Sequence, residues 1–247
     1  MLGHMNLKDY ILPCDINRAS VSVSGIILGA MLAAADYHVD IWAVIALVLA
    51  VLCFQIFTTV IPGIILSVAA VWISYGTVFR LEALIMLLLG YFVYRLVHNH
   101  SPHDGLFRNG IVVTLTTLII YGLLPVYGAY FVCTHSFGNV MLLMPASAIG
   151  SLCLAWHNSD YLDEMHTRIF HTFWIVVGFA SMMAYSCMRI FDPWHFLFVL
   201  TAPVLVYLLY IVWKEGKTPE CYPRLLSLTI LGFAISTGLG FMAYLFI

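Results

Sequence analysis

Apolar residues run through this chain in long blocks separated by short polar breaks. The breaks predict nine helices, at about 19–35, 41–59, 62–79, 81–97, 110–132, 138–156, 170–189, 194–213 and 225–246. A helix that crosses a bilayer needs about 20 mostly apolar residues, so the blocks read as membrane spans. The stretch from Ile41 to Phe79 has 39 residues without a charged side chain, too long for one span. Thr58, Thr59, Pro62 and Gly63 near its middle predict a tight helical hairpin, because proline removes a donor and glycine relaxes the backbone.

Charge sets an expected orientation. With a cytoplasmic N-terminus, Lys8, Arg18, Arg95, Arg108, Arg168, Lys214, Lys217 and Arg224 fall inside, against Arg80 and Arg189 outside. Cationic residues favour the cytoplasmic side, so nine spans put the C-terminus on the opposite face. Gly3, His4 and Met5 read as the scar of a cleaved tag, and no cleavable signal precedes the first apolar block.

Composition narrows the class. Of the 247 residues, 63% are hydrophobic and 9% charged, with mean hydropathy +1.00, whereas soluble domains carry roughly a quarter charged residues. One all-α polytopic domain spanning 1–247 is expected, with no soluble domain beside it. A net charge of −2 excludes nucleic acid as a partner, since phosphate binding needs a basic surface. Six cysteines without a CxxC pair read as reduced packing thiols.

The candidate chemistry lies in the loops assigned to the cytoplasmic face. Asp160 and Glu164 are spaced i, i+4, which on a helix sets two carboxylates one turn apart. That arrangement suits Mg2+, which takes one or two carboxylates plus phosphate oxygens and water; it also suits a solvated acidic helix start. His98, His100 and His103 form an alternative metal cluster, while His157, His166 and His171 read as interfacial polar residues. Gln55 is among the few strongly polar side chains inside a predicted span, placed either against a neighbouring helix or in a cavity. Gly25, Gly29, Gly232, Gly238 and Gly240 read as sites of close helix contact.

Several blocks in order resemble the UbiA superfamily of intramembrane prenyltransferases, particularly the branch that prenylates dihydroxynaphthoate. They are Arg18, the run Phe54-Gln55-Ile56-Phe57-Thr58-Thr59, the run from Tyr121 to Val132 (YGLLPVYGAYFV), and Pro145 to Asp160, and the resemblance covers about residues 15–246. It implies nine helices around a central cavity, and transfer of an isoprenyl group from its diphosphate under Mg2+ held by two Asp-rich motifs. The second motif matches His157 to Glu164, with Asp160 and Glu164 in its acidic positions and Ser159 where the family has arginine. Gln55, Asn158 and Arg168 then fall at substrate-binding positions. In the first motif Gln55 and Thr58 persist, Thr59 replaces an asparagine, and the acidic residues and their loop are missing, the chain passing directly to Ile61-Pro62-Gly63.

Three functions stay open at this point. The missing motif points to a degenerate, non-catalytic relative that binds an isoprenoid lipid or quinone, or that serves as a membrane subunit beside a partner membrane protein. An active Mg2+-dependent enzyme using Asp160 and Glu164 on an isoprenyl diphosphate is the alternative. A histidine-based membrane metal protein is the third.

Overall fold

The computed structural model describes residues 16–56, 60–76, 78, 80–99, 110–162, 165–189, 192–215 and 221–243. The chain there is helical, without a strand among the described residues. The α-helices are α1 Ile16–Asp36, α2 Ile41–Ile56, α3 Val60–Tyr75, α4 Leu81–Asn99, α5 Gly110–Thr117, α6 Leu124–Thr134, α7 Leu143–His157, α8 Met165–Met188, α9 Ala202–Glu215 and α10 Tyr222–Met242. A π-helical segment, Leu118–Leu123, joins α5 to α6, and 3-10 turns precede α7 and α9. Described helices overlap each predicted block; α8 starts at Met165 instead of about 170, and the block expected from about 194 opens with the 3-10 segment Pro193–Thr201 before α9.

Among the described residues six helices are long and apolar enough to cross a membrane: Ala19–Asp36, Thr114–Thr134, Val140–His157, Met165–Met188, Pro193–Lys214 and Tyr222–Met242. The chain is an all-helical integral membrane protein. Three further apolar helices, Ile41–Phe54, Ile61–Tyr75 and Leu81–Phe92, are shorter. Helix dominates because lipid offers the backbone no hydrogen-bond partner, so each peptide group bonds within its own segment.

Short Asx caps start several helices. Asp40 Oδ1 accepts from the Trp42 amide at 2.9 Å, and Asp192 Oδ1 from Trp194 at 3.0 Å. The C-terminal end of α6 turns through His135 in the left-handed region, φ 62°, and its amide donates to Phe131 O at 2.9 Å. At the same end Ser74 Oγ donates to Val132 O, and Tyr75 stacks on the His135 ring with centroids 3.9 Å apart. These contacts bind the end of α3 to the end of α6.

α1 packs on α10 and α6, α7 on α8 and the π segment, and α2 on α3. Small residues set the closest approaches. A Cβ on Gly29 would land on Val126 O, and one on Gly122 would meet Ala146 O and the Gly150 backbone. The π segment has a local cause: Pro125 lacks the N–H that would bond to Tyr121 O in an α-helix. The register widens there, and the Leu124 amide bonds to Ile119 O, five residues back. Gly25, Gly238 and Gly240 also sit at close contacts, facing Pro125, Met31 and Trp194. Gly232 corrects the expectation, because a Cβ there would meet nothing within 4 Å.

Among the described residues, two clusters of buried side chains form the interior. The larger joins α1, α6, α7, α8, α9 and α10 around Leu152, Met182, Phe198 and Phe233. The smaller joins α1, α2, α3, α4 and α6 around Leu47, Ala70 and Val71. The cysteines described, 53, 133, 153, 187 and 221, are free thiols, as the spacing predicts.

Candidate functional site

An apolar cavity, open at one side, lies between α1, α2, α3, α4, the π segment and α6. Leu47 and Phe54 of α2, Leu87 of α4 and Ile120 of the π segment supply much of its wall. Phe54 stacks on Tyr91 with ring centroids 3.9 Å apart, joining α2 to α4 at the wall. Among the described residues, no carboxylate, histidine or cationic residue lines the cavity. An apolar wall of this kind favours a hydrocarbon chain or an aromatic ring.

The polar content of the wall is small and specific. Ser67 donates its hydroxyl to Gly63 O at 2.8 Å, one turn back on α3. Ser22 is different: 5% exposed, it lines the cavity with an Oγ that has no hydrogen-bond partner among the described residues. A buried hydroxyl left unpaired costs about 1–3 kcal/mol, so Ser22 is the point at which a bound molecule gains most from an acceptor group. Gly128 opens the wall on α6, because a Cβ at that position would meet nothing within 4 Å.

The residues singled out by sequence are placed unevenly. Gln55 lies in the last turn of α2 beside the cavity residue Phe54, with its side chain outside the described residues. Asn158 caps α7, its amide donating to Leu154 O and Trp156 O. Asp160 belongs to the 3-10 turn Asn158–Tyr161, which ends at Leu162, and α8 begins at Met165. The single α-helical face expected for Asp160 and Glu164 is therefore interrupted. Glu164 and the side chain of Asp160 lie outside the described residues.

Arg168 folds back on this break. Its Nε donates to Leu162 O at 2.7 Å, satisfying a carbonyl that the end of the 3-10 turn leaves without a helical donor. It serves here as a brace on the turn. Ser159, 2% exposed, has an Oγ without a partner among the described residues. Among the described residues no group of three His, Cys, Asp or Glu could hold a metal ion; Glu164 and the side chain of Asp160 are not among them.

The histidines divide. His98 lies in α4 with its side chain outside the described residues, as are His100 and His103 entirely. His171, expected at the interface, is fully buried in α8. Its Nδ1 lies 2.8 Å from Ala155 O and its Nε2 2.6 Å from the Tyr222 hydroxyl. Both ring nitrogens are thus spent on protein partners, a correction to the interfacial reading of this residue. The neighbouring Trp156 Nε1 donates to Pro223 O at 3.1 Å, tying α7 to α10 beside it.

Sequence reasoning missed Ser22, Tyr91 and Gly128. The signal for Ser22 was present in the alternation Ser20, Ser22, Ser24 within an apolar helix. Ser24 returns its hydroxyl to Ser20 O at 2.6 Å, whereas Ser22 keeps an unpaired one. Comparison with protein-family profiles, with characterised proteins and with solved structures finds no match to this chain.

Proposed function

We propose that this protein is a UbiA-like membrane bundle that holds an isoprenoid lipid or quinone in its apolar cavity and does not transfer prenyl groups. The observation that carries the reading is the cavity itself, walled by apolar side chains and marked by an unpaired hydroxyl at Ser22. A prenyl chain fits such a wall through burial of methylenes, each worth about 0.8 kcal/mol. A quinone carbonyl accepts from Ser22. In this reading α2, α3 and α4 are spans as well, giving nine, with the N-terminus cytoplasmic and the C-terminus on the other face.

The short connection between α2 and α3 supports the loss of transfer chemistry. α2 ends at Ile56 and α3 resumes at Val60, leaving three residues where the family carries an acidic motif and its loop. Ionising an allylic diphosphate needs concentrated positive charge at the leaving group. One carboxylate pair on an interrupted helix gives at most half of the expected metal set.

The test is turnover. Purified protein is given a long-chain isoprenyl diphosphate, dihydroxynaphthoate and Mg2+, and released diphosphate is measured. The proposal expects none above the protein-free control. Release that disappears in Asp160→Ala would establish the enzyme instead.

A further inference from the structure

A second cavity opens where α1, α6 and α8 end, with Asp36, Tyr37, Tyr130, Asn139, Tyr185 and Arg189 in its wall. Arg189 Nη2 donates to Asp36 Oδ2 at 2.5 Å, and the guanidinium carbon lies 5.8 Å from the ring centroids of both Tyr185 and Phe241. A guanidinium has five N–H donors; among the described residues only Asp36 accepts one from Arg189. Tyr130 and Tyr185, 4% and 2% exposed, line the same pocket.

The pocket thus gathers the Arg189 guanidinium and two phenols beside the carboxylate of Asp36 and the face-rich edge made by Tyr37 and Tyr130, whose rings meet at 87°. A plain anion placed there would meet Asp36, and a plain cation would meet Arg189. A group with both charges satisfies both. Asp36 ends the span Ala19–Asp36 and Arg189 follows the span Met165–Met188, so the pocket sits at the depth where spans give way to headgroups.

We propose that this pocket binds a phosphate ester that carries an ammonium, the chemistry of an ethanolamine phospholipid head. The phosphate takes the free N–H groups of Arg189 and the hydroxyls of Tyr130 and Tyr185. The ammonium faces Asp36 and the ring of Tyr37. This site is carried by a different end of α1 from the apolar cavity and stands whether or not that cavity holds an isoprenoid.

The test titrates the purified full-length protein in detergent with phosphatidylethanolamine and with phosphatidylglycerol of matched chains, reading bound lipid by native mass spectrometry. The ethanolamine lipid is expected to bind at least about fivefold tighter, and Tyr130→Phe and Tyr185→Phe each to weaken it about fivefold. Asp36→Asn is expected to erase the preference. The phenylalanine variants leave the ion pair intact, so they decide the matter even where Asp36→Asn fails to fold. Competition by soluble phosphoethanolamine assigns recognition to the head alone; selective lipid binding without such competition assigns it to the membrane-anchored lipid. Equal binding of the two lipids, or a preference unchanged in both phenylalanine variants, would overturn the proposal.

Discussion

The Tyr222 hydroxyl lies 2.6 Å from Nε2 of His171, 51 residues away along the chain, while Nδ1 of the same ring faces Ala155 O at 2.8 Å. A carbonyl only accepts, so Nδ1 carries the ring proton and Nε2 accepts from the tyrosine. The pair closes α7, α8 and α10 on one another with two satisfied bonds in a mostly apolar interior.

Tyr222→Phe removes the donor and leaves a buried imidazole nitrogen unpaired. The expected loss is about 1–3 kcal/mol, read as a lowered Tm of the purified protein in detergent. His171→Leu with Tyr222→Phe should cost less than the sum of the single changes, because no orphaned group remains. An additive double variant would contradict the bond.

The glycines give a sharper contrast. Gly29→Ala puts a methyl onto Val126 O, and Gly122→Ala puts one onto Ala146 O; backbone atoms cannot yield as a side chain would, so both variants should fail to reach a stable folded peak in size-exclusion chromatography. Gly232→Ala meets nothing and should raise Tm slightly, since alanine is favoured over glycine in a helix interior by roughly 0.5–1 kcal/mol.

Ser22→Ala separates two kinds of ligand. Removing an unpaired hydroxyl should stabilise the ligand-free protein by about 1 kcal/mol. A carbonyl-bearing quinone should then bind about fivefold more weakly, a prenyl hydrocarbon as well as before. Loss of both ligands to the same degree would show that Ser22 shapes the wall without donating.

Much of the fold was legible because lipid makes the period of the pattern nearly irrelevant: a block of sufficient apolar length becomes a helix. The packing of α2 on α3 agrees with the expected hairpin, but Pro62 and Gly63 fall inside α3 rather than in the turn, and residues 57–59 lie outside the described ones; the contacts of Gly25 and Gly29 followed from small residues in an apolar helix. The site was less legible. The i, i+4 spacing of Asp160 and Glu164 assumed an α-helix that ends in a 3-10 turn before Leu162. His171 looked interfacial because sequence cannot show that α10 returns to cover it with Tyr222. The cavity depends on gaps between helices that are distant in the chain, and Gly128, which resembles a packing glycine, instead faces open space.

Gly128 supplies the most direct test of the central claim. The protein and its Gly128→Leu variant are purified in parallel, extracted with organic solvent, and the lipids are counted by mass spectrometry. The parent should retain about one isoprenoid lipid or quinone per chain, and the variant, whose new side chain occupies the cavity, at least about tenfold less, a difference of about 1.4 kcal/mol. Isoprenoid retained equally by both proteins, or absent from the parent, would contradict it.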